Sequence, residues 1–132
     1  MLTVALVALV GLGAGCSDLE DAAKGKANEA ACSVAQKTVD GVTAQVESAI
    51  DEIGADPDAA RRKLAGLRDV LDAAQSGISG EAKQKLRDAA QALGNLADEA
   101  GDAARGADVD TSAVDAAKDN FGDAVDDVRD FC

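Results

Sequence analysis

The sequence predicts an all-α protein, an antiparallel up-down-up-down four-helix bundle with an Ala-rich core. Three observations predict it. Apolar residues recur at steps of three and four through four successive segments. Turn-forming residues stand between those segments. Two cysteines, Cys32 and Cys132, sit on the apolar stripe near the start of the first segment and at the end of the last.

The first segment carries its stripe on Cys32, Ala35, Val39, Val42, Val46, Ala49 and Ile53. Gly54 is placed to end it, and Asp56 then caps a second helix with Pro57 at its first position. The second stripe is Ala60, Leu64, Leu67, Leu71, Ala74 and Ile78. Residues Gly77 to Gly80 break the chain, with Ser79 as the expected N-cap of the third helix. The third stripe is Ala82, Leu86, Ala89, Leu93, Leu96, Ala100 and Ala103. Gly106 to Asp110 break it again, with Asp110 or Thr111 as cap. The fourth stripe is Val114, Ala117, Phe121, Val125, Val128 and Cys132. Stripes this narrow suit a bundle, and links this short join antiparallel neighbours.

Composition argues the other way and is overruled by the spacing. Alanine supplies 30 of the 132 residues, Trp, Tyr and His are absent, and Phe121 and Phe131 are the two phenylalanines. Asp and Glu number 25 against 13 Lys and Arg, a net charge of −12. Few large apolar residues with a high net charge is the mark of a disordered chain. A disordered chain has no reason to keep helical spacing through four segments.

Charge placement agrees with the topology. A hairpin sets Glu47, Asp51 and Glu52 of the first helix beside Arg61, Arg62 and Lys63 of the second. The next hairpin sets Asp69 and Asp72 against Lys83, Lys85 and Arg87. Exposed pairs of this kind add only about 0–1 kcal/mol each, but they bias register.

An even number of antiparallel helices brings Cys32 and Cys132 to the same end of the bundle. Three or five helices would part them by about 30 Å. A Cys32–Cys132 disulfide joining the N- and C-terminal helices is therefore expected, with two reduced, buried thiols as the rival reading.

The third cysteine closes an apolar run. Leu2 to Leu12 has the length of a signal-peptide h-region, Gly13-Ala14-Gly15 supplies small residues, and Cys16 follows. The run is too short to span a bilayer, which takes about 20 residues. The junction resembles the lipobox of bacterial lipoproteins. Ala14, Gly15 and Cys16 match the pattern; Gly13 stands where an aliphatic residue is usual, and no Lys or Arg follows Met1. The resemblance covers the first 16 residues. It implies removal of residues 1–15, acylation of Cys16 and a lipid-anchored place outside the cytoplasm; a plainly secreted protein is the alternative. The division that follows is a signal peptide at 1–15, a lipid-anchored leader at 16–28 and a bundle domain at 29–132. The leader SDLEDAAKGKAN shows no clear stripe and would span about 17–21 Å if flexible.

Function classes narrow by exclusion. The acidic body cannot bind nucleic acid or an anionic membrane by charge. Without His the commonest general base and metal ligand is missing, and no Ser or Lys stands in a nucleophile motif. No catalytic residue and no cofactor are expected. Asp108, Asp110, Ser112 and Asp119 fall at positions 1, 3, 5 and 12 of an EF-hand-like register, but Ala113 stands where Gly is needed and Asp119 where Glu is. An acidic N-cap accounts for the same residues. The fourth helix offers an acidic face, Asp119, Asp123, Asp126, Asp127 and Asp130, as a candidate binding surface that also suits loose association of divalent cations. The expectation is a non-catalytic interaction or structural module of the cell envelope, tethered by Cys16, whose partner is an envelope protein. The alternative is a carrier holding a small apolar ligand between Ala-lined helices.

Overall fold

The structure, a computed structural model, describes residues 16–132, with side chains from Glu29 onward. Four helices follow in order: α1 Cys16–Ile53, α2 Pro57–Ala74, α3 Gly80–Ala104 and α4 Thr111–Phe131. No strand occurs among the described residues. Each helix runs antiparallel to the next, and α4 returns beside α1.

The helix ends carry the chemistry their sequences specify. Asp56 caps α2 by accepting a hydrogen bond from Ala59 N–H at 3.0 Å, with Pro57 opening the helix. Asp110 caps α4, accepting from Ser112 N–H at 3.0 Å and Ala113 N–H at 3.1 Å. Of the two residues proposed there, Asp110 is the cap. At Ser79 the side chain makes no capping bond. Its expected role passes to backbone geometry, since Gly77 and Gly80 turn the chain with φ of 80° and 71°. The end of α3 is a Schellman closure. Ala107 N–H bonds Asp102 C=O and Gly106 N–H bonds Ala103 C=O, with Gly106 at φ 92° in the left-handed region where a side chain is strained.

One core runs the length of the bundle. The expected stripe residues of α1 are all buried, as are Ala60, Leu64, Leu67 and Leu71 of α2 and Val114, Ala117, Phe121, Val125 and Val128 of α4. Ten of the 26 buried apolar residues are Ala, so the core is Ala-rich, filled chiefly by five Leu and four Val side chains with almost no exposure. On α3 the buried arc is wider than one stripe and takes in Ala90, Ala92 and Gly101. The reason is its position: α3 packs along α2 on one side and α4 on the other. Small residues let it approach both closely. The Arg68 and Arg61 side chains of α2 lie over Gly94 and Gly101, where a Cβ would come within 3.4 Å of the Arg68 guanidinium and 3.3 Å of Arg61 Cδ.

Three expectations need correction. Ile78 is buried, but in the α2–α3 link rather than on α2, where it closes one end of the core. The 16–28 leader is helical and continuous with α1. Its Ala, Glu and Lys content favours helix, and no proline interrupts it. A 38-residue helix is about 57 Å long, so residues 16–31 carry α1 about 24 Å past Cys32. The charge pairs hold at one hairpin only. Lys63 Nζ meets Glu52 at 3.0 Å, whereas Asp72 turns to Arg68 of its own helix and Lys85 crosses to Asp127 of α4 at 2.7 Å.

Candidate functional site

The disulfide is where helical parity puts it. Cys32, buried on α1, and Cys132, directly after α4, are bonded with their Cα atoms 5.3 Å apart. Beside it Arg129 of α4 reaches Asp40 of α1 at 2.7 Å and Asp126 of its own helix at 2.9 Å. These carboxylates raise the Arg129 guanidinium above its usual value, chiefly through the bond to Asp40. A covalent link and an ion pair thus join the first and last helices at one end of the molecule. At the opposite end Ile50 and Ile53 of α1, Val109 of the α3–α4 link and Val114 of α4 line one open apolar hollow.

The acidic face of α4 is real, but its members differ. Asp119, Asp123, Asp126 and Asp130 are exposed. Asp126 is held by Arg129, and half-buried Asp127 by Lys85. The Lys85 ammonium is raised above the ordinary lysine value, first by its hydrogen bond to Asp127 and then by the attraction of the same carboxylate. Among the described residues Asp119, Asp123 and Asp130 have no ion-pair partner. Along the α3–α4 junction Asp123 and Asp127 share an open polar groove of about 330 Å³ with Asp88, Gln91, Asn95 and Asn120. The amides were not legible as a group in the sequence. They meet only through the register between α3 and α4, for which neither helix alone carries a signal.

Asp108, Asp110 and Asp119 do not assemble. Asp110 gives its carboxylate to two backbone N–H groups at the start of α4, and Asp119 lies more than two turns along the helix. No group of three or more Cys, Asp or Glu able to hold a metal ion occurs among the described residues. The EF-hand-like spacing is a helix cap.

Cys16 is the first residue of α1, and the apolar run and small residues that precede it lie outside the described residues. Among the described residues no helix is long and apolar enough to cross a membrane.

A second surface, unmarked in the sequence, lies between α1 and α2. It is an open groove of about 470 Å³ floored by Gly41, Val42, Gly66 and Leu67 and edged by Val70 and Thr38, with Lys37, Arg62 and Lys63 around it. It is the apolar counterpart of the polar α3–α4 groove.

Comparison with protein-family models, with curated proteins and with solved structures finds no match to this chain.

Proposed function

We propose that the protein is an extracytoplasmic lipoprotein, tethered to the cell membrane through acylated Cys16, whose bundle is a non-catalytic interaction module of the cell envelope. The observation that carries this reading is the Cys32–Cys132 disulfide. Disulfides form and persist in oxidising compartments. A chain that begins with an apolar run ending in Ala14-Gly15-Cys16 and then builds a disulfide has two independent marks of export. The helical leader gives the tether a defined form, carrying the bundle away from Cys16 instead of leaving it on a loose string.

The non-catalytic half of the proposal rests on side-chain supply. The chain has no His, Cys32 and Cys132 are bonded to each other, and Cys16 would be acylated. Among the described residues no acidic side chain is buried. The space between helices is filled by Leu64, Leu71, Leu86, Leu93 and Leu96, which favours a docking surface over a carrier of apolar ligands. The partner would be an envelope protein, met on the exposed acidic face of α4, which would also attract divalent cations loosely.

Fractionation with intact-mass analysis tests the tether. In a bacterial host the protein should sediment with membranes and begin at an acylated Cys16, and Cys16→Ser should move it to the soluble fraction. An unmodified chain retaining Met1 would refute it, and a cleaved but unacylated one would make it a secreted protein. Capture of an envelope protein that weakens with salt and with Asp119→Asn/Asp123→Asn supports the acidic face as the contact.

A further inference from the structure

We propose that the α1–α2 groove is a docking site for an amphipathic helix of a partner protein, one whose apolar face is flanked by carboxylates two to three turns apart. This deepens the interaction-module reading and rests on it for its biology, but it concerns a surface other than the acidic face of α4.

Three independent features coincide at the groove. The first is exposed apolar surface. Val70 on the rim is 47% exposed, and Val34, one turn of α1 before the lining begins at Lys37, is 58% exposed; they are two of the three large apolar side chains left in the open among the described residues. Val34, Thr38 and Gly41 lie on one face of α1 at steps of four and three, and Gly66 and Val70 lie on the facing side of α2. The second is the floor. Gly41 and Gly66 are both inside helices, where glycine is unfavourable, and a Cβ built on either meets nothing within 4 Å. Packing within the bundle therefore does not require either glycine. Their effect is to keep the groove shallow in side chain, so that another backbone can approach.

The third feature chooses the occupant. In a chain of net charge −12, this groove is edged by cations. Lys63 is already held by Glu52 and Ser48, but Lys37 and Arg62 have no ion-pair partner among the described residues. They stand at opposite ends of the groove, because α1 and α2 are antiparallel: Lys37 beside the Val70 end and Arg62 beside the Gln45 end. The lining runs from Lys37 to Gln45 on α1 and from Arg62 to Val70 on α2, about 12 Å along each helix. A helix lying in the groove spans that length in two to three turns and can offer an acid to each cation with apolar residues between. A single-headed amphiphile satisfies one end only. A second copy of this chain brings a further −12 of charge, which repels at moderate salt.

The test uses the full chain and a defined probe: a fluorescein-labelled, hydrocarbon-stapled helical peptide with a Leu/Ala face and two Glu residues seven positions apart, against the same peptide with Lys in both places. Fluorescence anisotropy should give saturable binding of the Glu peptide and at least tenfold weaker binding of the Lys peptide. Lys37→Glu/Arg62→Glu should weaken the Glu peptide tenfold or more. Gly41→Leu/Gly66→Leu should abolish its binding while the circular dichroism spectrum stays helical and the melting temperature does not fall. Absence of binding, equal affinity for the two peptides, or binding untouched by the glycine substitutions overturns the proposal. Binding of vesicles with 30% anionic lipid that is lost in the charge-reversed variant, without peptide binding, overturns it in favour of a lipid surface. A dimer in sedimentation velocity that the Leu substitutions dissociate overturns it in favour of self-association. None of these readouts depends on acylation of Cys16, so failure of the groove and failure of the tether are separable.

Discussion

The bond between Cys32 and Cys132 ties two helices that side-chain packing holds less closely than α3 holds its neighbours. Closing a 100-residue loop is worth about 4.7 kcal/mol in the chain-entropy model, and natural disulfides commonly contribute about 2–4. Against a core in which Ala occupies ten of 26 buried apolar positions, that is a large share of the folding free energy. Cys32→Ser should lower the thermal midpoint by 10 °C or more by circular dichroism (about 4–8 °C per kcal/mol for a domain near this size), and dithiothreitol should do the same to the wild type. A midpoint unchanged by both would show that packing alone holds α4. Caps give a smaller effect. Asp110→Ala removes the acceptor for Ser112 and Ala113 N–H and should cost about 1 kcal/mol in urea unfolding. In the core, Leu93→Ala should cost about 2–5 kcal/mol, since Leu93 is fully buried where α3 meets its neighbours.

Single helices show where the sequence could be read and where it could not. Steps of three and four found the buried face of α1 without error, because α1 turns one stripe inward. They undercounted α3, whose Ala90, Ala92 and Gly101 are buried against flanking helices. Periodicity reports which way a helix faces; how much of its arc is covered depends on how near its neighbours come. The acidic face of α4 was visible because its residues share one helix. The α1–α2 groove was not, since Gly41 and Gly66 carry no meaning until two helices set them side by side. Charge pairing failed at the α2–α3 hairpin for a related reason: Lys85 has a choice of carboxylates, and Asp127 on α4 lies in reach. Glycine inside an exposed helix costs about 1 kcal/mol relative to alanine. With open space around its Cβ position, Gly66→Ala should therefore stabilise the fold by up to that amount, read as a higher urea midpoint at unchanged slope.

Taken as a whole, the molecule is defined by its charge. A net −12 on 132 residues is self-repulsive in the compact state. Sodium chloride raised from 10 to 300 mM should therefore increase the melting temperature; a decrease would mean that the exposed ion pairs outweigh the repulsion. The alkaline limit has a definite sign. Folding raises the Lys85 ammonium above the ordinary value of 10.5, so its pairing with Asp127 is fully stabilising below that pH and is lost as pH climbs through the raised folded value. Lys85→Met should flatten the loss of stability above pH 10.5 and leave the profile near pH 7 similar in shape.

The position of the disulfide along α1 also sets how the protein would bear a load. Tension applied between residue 16 and residue 132 travels down α1 to Cys32 and crosses the sulfur bridge to Cys132, so the residues between the two cysteines carry none of it. What yields is the 16–31 stretch alone, from about 24 Å as helix to about 54 Å fully drawn out, after which the chain stops lengthening. Oxidised, the chain behaves under strain as a short elastic strut carrying an unloaded bundle. Reduced, the same pull unravels the bundle and extends it several-fold further, a difference that a single-molecule force trace reads directly as contour length.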